Sequence, residues 1–358
     1  MDVPGKSLLN VGMASPEEHR VKPRTTIREV ASAAGVSIAT VSRVLNGRPD
    51  VAPATRAAVL RAARDQRFAT NRSARALSGG RTGLVGVTLP MVEAEYFAQI
   101  LSGAAEALHE HDMRVVLSPT LHLHDREVTL LDRLMHGTTD GAVLMLPEES
   151  NDELKALQRL GYPFVVVDPR VPLDEGVAAV SASNASGARA AVQHLLSLGH
   201  RRIAALTGIP GWLASSERLN GYHSAHAAAG VLADPVLVVE ADYSTEGGEA
   251  AAAKLLDLPD PPTAVFAFND NMAVAALREA RRRGLRVPED LSVVGFDDSQ
   301  QAGIVTPELT SVRQPLAEMG RMAVSLLLRL LENQRVEGLN VELQTRLVVR
   351  DSTAPPRG

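Results

Sequence analysis

The sequence predicts an all-α head of three short helices joined to a two-lobed α/β body of parallel sheets, and three observations carry that reading. A run near the start, TIREVASAAGVSIATVSRVLNG, has the apolar spacing and the stop residues of two helices around a tight turn. From Gly83 onward, strand-like apolar runs alternate with amphipathic helical stretches, as expected of parallel sheets with helices on both faces. Charge divides the chain in the same way. Residues 1–81 hold 14 Lys+Arg against 6 Asp+Glu, a balance of +8, while the remainder holds 23 against 36, a balance of −13. A basic head on an acidic body is an electrostatic footprint for a polyanion.

In the head, Thr26 followed by Glu29 has capping-box spacing, and Ile27, Val30, Ala31 and Ala34 recur on one helical face before Gly35. Ser37 can cap the next helix, which turns Val41, Val44 and Leu45 inward and carries Ile38, Ala39, Ser42 and Arg43 on its other faces before Asn46 and Gly47. A third helix runs from about Pro53 to Gln66, with Val59, Leu60, Ala63 and Phe68 as core candidates. Two helices around a glycine-containing turn, closed by a third, form a helix-turn-helix whose second helix can enter a DNA major groove. Residues 71–80 (NRSARALSGG) read as a linker that permits a short helix.

The body has strand-like runs at GLVGVTL, MRVVLS, GAVLML, FVVVD, RIAALTG, VLVVE, AVFAF and SVVGF, with helical stretches between them. That is enough chain for two sheets. Ligands bind at the carboxyl ends of parallel strands, which directs attention to the stretch from Leu89 to Phe97 and to Asp168, Arg218, Tyr243, Asn269 and Asp297. Asp270 and Asp298 read as caps instead. Arg281, Arg282 and Arg283 read as a solvated basic helix end.

Several function classes are disfavoured. The chain has no cysteine, which rules out disulfides and Cys-ligated metals. The pairs His122/His124 and His223/His226 lack accompanying ligands, so no metal or other cofactor is expected. No G-x-G-x-x-G follows the first strand, and neither a P-loop nor G-x-S-x-G is present, which argues against an enzyme. Residues 1–24 lack the apolar core of an export signal and no long apolar run follows, so the expected location is the cytoplasm, without a membrane partner. A solute-binding protein for transport would share the body but has no use for a basic head.

Residue by residue, AGVSIATVSRVLNG resembles the lactose/galactose repressor (LacI/GalR) family, and the resemblance extends over about residues 25–353. It implies a body similar to the type I periplasmic-binding-protein fold. The implied organisation is a disordered extension over 1–24, a DNA-binding domain over 25–70, a hinge over 71–81 and an effector-binding and dimerisation domain over 82–353. Within that domain, lobe 1 takes about 83–180 and 311–340, and lobe 2 about 183–310 and 341–353.

By the same resemblance, Ile38, Ala39 and Arg43 read bases. Arg43 is suited to guanine, and Ile38 and Ala39 to apolar contact such as a thymine methyl. Ser37, Thr40, Ser42, Asn46 and Thr55 hold phosphates. Asn71 opens the hinge, and Leu77 matches a leucine that wedges between base pairs in the minor groove. Two departures stand out: Ala52 where a capping Ser is common, and Thr70 where Pro commonly precedes the hinge Asn.

In the body the resemblance assigns effector contacts to Arg218, Asn269, Asp297, Asp168 and Gln314, with Tyr243 flanking the ligand and Tyr96 and Phe97 covering it from lobe 1. The implied protein is a homodimeric transcriptional regulator, with repression the leading mode. It binds double-stranded operator DNA under the control of a small molecule, either a sugar or a purine or nucleoside. The ending RLVVRDSTAPPRG carries no leucine heptads for a tetramerisation bundle.

Overall fold

The computed structural model describes residues 25–45, 48, 50–66, 81–334 and 340–357. The chain divides into two units, 1–78 and 79–358. Asn46, Asn71 and Leu77, and with them almost the whole expected hinge, lie outside the described residues.

The first unit forms three helices: α1 (Ile27–Ala34), α2 (Ile38–Leu45) and α3 (Pro53–Asp65). The capping box closes as the spacing predicts: Thr26 N donates to Glu29 Oε2 at 2.6 Å and Glu29 N donates to Thr26 Oγ1 at 3.4 Å. Gly35 ends α1 in the left-handed conformation, with φ 66°, which glycine adopts without steric cost. Ser37 Oγ accepts from Thr40 N at 3.1 Å at the start of α2. Ala52 stands at the α3 N-cap without a side-chain bond, and Pro53 follows it. Val30, Ala31, Val41, Val44, Val59, Ala62 and Ala63 make the core. Leu60, expected inside, is 41% exposed, because the inward face of α3 passes through Val59, Ala62 and Ala63 instead.

The second unit holds two six-stranded sheets. The first comprises β1 (Leu84–Leu89), β2 (Arg114–Pro119), β3 (Gly141–Met145), β4 (Phe164–Val167), β5 (Ala179–Ala182) and β11 (Asn340–Leu343), in the order β11-β5-β4-β3-β1-β2, all parallel. The second comprises β6 (Ile203–Thr207), β7 (Val238–Glu240), β8 (Ala264–Ala267), β9 (Ser292–Asp297), β10 (Thr310–Arg313) and β12 (Arg346–Val348), in the order β12-β10-β9-β8-β6-β7. Only β12 runs antiparallel to its neighbour there. The helices are α4 (Glu95–Glu110), α5 (His124–Arg133), α6 (Asn151–Arg159), α7 (Asn184–Ser197), α8 (Leu213–Ala228), α9 (Thr245–Leu256), α10 (Asp270–Arg282) and α11 (Leu316–Leu331).

The lobe boundaries differ from the expected ones. Residues 311–313 belong to the second sheet through β10, and residues 341–343 to the first through β11. The chain therefore changes lobes between Arg313 and Leu316, and again between Leu343 and Arg346. Each of these strands is only four residues long and carries little apolar periodicity of its own, so its pairing is decided by the neighbouring strands. Helix α11 returns to the first lobe as expected and crosses α4 at two glycines. A Cβ at Gly103 would lie 1.9 Å from the Ala317 carbonyl oxygen, and one at Gly320 would lie 2.0 Å from that of Ile100. That close approach welds the late helix onto the early lobe.

Candidate functional site

In the first unit the α2 face is laid out for contact. Ser37, Ile38, Ala39 and Arg43 are exposed, and Thr40, Ser42 and Thr55 are half-buried. Ile38 is 45% exposed, although its turn of helix also carries the buried Val41 and Val44. Arg43 approaches Asp50 at 3.8 Å, with both side chains largely exposed; a pair of that kind contributes little and leaves the guanidinium available.

In the second unit a cleft of about 520 Å³ opens between the lobes, lined by residues from both. Seven of the eight predicted effector residues line it: Tyr96, Phe97, Asp168, Arg218, Tyr243, Asn269 and Asp297. The reason is topological, since Asp168, Asn269 and Asp297 stand at or just beyond the ends of β4, β8 and β9. Three of the seven, Asp168, Tyr243 and Asp297, have positive φ, at 55°, 67° and 112°. His122 and Leu146, also in the lining, do as well. Strained backbone outside glycine is sparse in folded chains, and its gathering in one cleft marks a site.

Arg218 is 4% exposed. Its Nε donates to Asn184 Oδ1 at 2.9 Å, Nη1 donates to the Phe268 carbonyl, and the guanidinium stacks 3.8 Å from the Phe296 ring centroid. A carbonyl, an amide and a ring thus hold it within the protein. Tyr96 donates its hydroxyl proton to Asp168 Oδ2 at 2.8 Å. Burial raises the Asp168 carboxyl pKa, against the pull of the Tyr96 hydrogen bond and the Arg218 charge. Burial also raises Asp297, with Arg218 opposing and Asp270 adding to the rise.

Tyr243 fits because of Gly208, where a Cβ would come within 2.0 Å of the tyrosine ring. Its hydroxyl pairs with Ser215 Oγ at 2.8 Å, and its carbonyl accepts from Asn269 Nδ2 at 2.9 Å.

Gln314 is the exception among the eight. It is absent from the lining and donates from behind to Asp297 Oδ1 at 2.7 Å. The reading of Asp270 as a cap is also corrected. Asn269 is the cap of α10, accepting from Met272 N, while Asp270 is buried in the lining and accepts from Ser311 Oγ at 2.6 Å and Ser299 N at 2.7 Å. Asp298 pairs with Arg313 and Arg350. Sequence reasoning missed Trp212, which stacks on Tyr243 with centroids 5.8 Å apart. A lone tryptophan in an aromatic-poor chain was the available signal.

Among the described residues no group of three His, Asp or Glu side chains could hold a metal, and no helix is long and apolar enough to cross a membrane. His122 and His124 face Glu148 and Glu153, at 3.6 and 3.0 Å.

The family model described as bacterial regulatory proteins, lacI family, matches residues 26–71, and that of a periplasmic binding protein-like domain matches residues 192–353. The chain is 39% identical to the HTH-type transcriptional regulator CelR of Thermobifida fusca, over 92% of this chain and 98% of that protein. It is 34% identical to the HTH-type transcriptional regulator DegA of Bacillus subtilis, over 93% and 99%. Among solved structures, a lac repressor dimer bound to operator and an anti-inducer superposes with TM-score 0.82 at 30% identity, covering 92% of this chain and 99% of that one. A CelR–cellobiose complex gives 0.71 at 38% identity, covering 92% and 100%. With a helix-turn-helix head and a two-lobed body matched along nearly their whole length by such regulators, this chain belongs to the lacI family of DNA-binding transcriptional regulators.

Proposed function

We propose that this protein is a dimeric repressor whose operator affinity is set by a neutral sugar bound in the cleft. The observation that carries the ligand reading is the chemistry of the lining: six carboxyl groups, those of Glu93, Glu95, Asp168, Asp242, Asp270 and Asp297, stand with a single arginine, Arg218. Carboxylates accept from hydroxyl donors, whereas a phosphate ester would add negative charge to an acidic, partly desolvated cavity. Tyr243, Tyr96 and Trp212 supply faces for the apolar side of a sugar ring, and the volume lies within the usual range for small-ligand sites, roughly 300–1,000 Å³. CelR, the relative solved with cellobiose, makes a β-linked disaccharide the first probe.

On DNA, α2 enters the major groove. Arg43 bonds guanine, Ile38 and Ala39 touch apolar base edges, and Ser37, Thr40, Ser42 and Thr55 hold phosphates. A second copy supplies the matching half-site contacts. Ligand between the lobes favours one lobe angle and so biases the DNA-bound state through differential affinity.

The test has two arms. Genomic fragments selected by the purified protein should yield a near-palindrome. Calorimetry with cellobiose, glucose, cellobiose phosphate and adenosine should show heat with a neutral sugar and none with the phosphate. Binding of adenosine alone would replace the sugar reading with a nucleoside one, and failure to enrich any fragment would remove the operator reading.

A further inference from the structure

The cleft wall contains a contact that ties one lobe to the other. Arg170 follows the end of β4 in the first lobe, and its guanidinium carbon lies 4.7 Å from the ring centroid of Trp212, which leads into α8 of the second. The Arg170 carbonyl accepts from Leu213 N at 2.6 Å, so both its backbone and its side chain reach across. Trp212 packs against the apolar core of the first lobe, whereas Tyr243, on which it stacks, packs against that of the second.

Arg170 is itself held firmly on its own side. Its Nε donates to the Leu146 carbonyl at 3.2 Å, and Nη2 donates to Glu148 Oε1 at 2.8 Å and faces His122 Nδ1 at 3.3 Å. Its side chain is only 17% exposed, so the cation over the indole is largely shielded from water. Glu95 makes another inter-lobe bond, accepting from Gln300 N at 3.0 Å, but in an exposed setting.

We propose that Arg170 is a positioning residue: by clasping Trp212 and Leu213 it fastens the lobes together beside the cleft and fixes the indole as one wall of the ligand site. Closure of the cleft then depends on the Arg170–Trp212 pair more than on Glu95. The clasp rests on contacts within the protein itself; only its effect on sugar affinity rests on the ligand reading above.

The chain has no cysteine and one tryptophan, which makes the test direct. Spin labels on Leu160→Cys and Leu232→Cys, at exposed positions of opposite lobes, report the inter-lobe distance distribution in full-length protein without ligand. Arg170→Met should broaden that distribution and shift Trp212 emission to the red. Arg170→Lys should restore much of the wild-type distribution, and Glu95→Gln should change it less than Arg170→Met. Equal distributions and emission in wild type and Arg170→Met overturn the proposal. Should Arg170→Met fail to fold by circular dichroism, Trp212→Leu breaks the same pair from the other lobe, with the same distance outcome expected.

Calorimetry with cellobiose on the same proteins is read separately. Wild-type binding weakened at least fivefold in Arg170→Met supports the clasp, and binding unchanged by the variant argues against it. Absence of cellobiose binding in the wild type would count against that ligand alone, while the distance distribution still decides the clasp.

Discussion

The two candidate sites are built in opposite ways. The α2 face is contiguous in sequence and exposed, and Ile38, Ala39 and Arg43 stand on a helix whose packing comes from other residues, Val41 and Val44, with Ser37 capping its start. The cleft is assembled from distant segments, and Arg218, Asn269 and Asp270 there are buried and hydrogen-bonded to Asn184, Met272 and Ser311. Function and stability are therefore separable in the head and entangled in the body. In the head a substitution at these exposed positions should alter DNA binding alone; in the body it should also leave buried groups without their partners.

The sharpest way to break this contrast is to remove the central cation of the cleft. Arg218→Met should abolish the ligand response and, because it leaves the Asn184 amide oxygen and the Phe268 carbonyl without their donor, lower stability by about 1–3 kcal/mol for each buried acceptor left unpaired. A urea midpoint equal to wild type would show that the cleft separates function from stability just as the head does. Arg43→Ala is the counterpart. Operator affinity should fall by about 1–3 kcal/mol with relaxed preference at one base pair, while the thermal midpoint stays the same. A shifted midpoint would give that residue a structural role.

A pH experiment sharpens the comparison within the body. Glu127 and Glu149 are both buried in the first lobe. Burial raises both carboxyls above their ordinary value of 4.5; the Glu127 charge adds to the rise at Glu149, which reaches about 9, while the Glu148 backbone hydrogen bond opposes the rise at Glu127. A carboxyl raised by folding keeps its proton where the unfolded chain has released one, so stability must fall as pH rises above 4.5 toward the folded value. Glu149→Gln should flatten that decline across roughly pH 5 to 8 in denaturation series. An unchanged slope would show that the pair carries no proton linkage. The smallest effect belongs to the head: Thr26→Ala opens the capping box and should cost about 1 kcal/mol, with operator contacts unaltered in footprinting of the folded protein.

What could be read from the sequence followed from range. The capping box, the Gly35 stop, the three head helices and the exposed α2 face are set by residues within four positions of each other, where side-chain type and helical period decide the outcome. The strand–helix alternation announced parallel sheets, whose strand ends pointed to the segments of the cleft, and the family resemblance picked out the seven residues within them. Tertiary structure decided the remainder. Strands β10 and β11 joined the opposite lobes from those expected because a strand of four residues takes its place from its partners' hydrogen bonds. Gln314 moved behind Asp297, and Asn269 rather than Asp270 capped α10, since the two neighbours differ only in which way the chain turns. Trp212 became a wall between lobes by packing against the core of the first and stacking on Tyr243 of the second. No local pattern encodes such a position, because the contacts that fix it exist only after both sheets have formed and closed on each other.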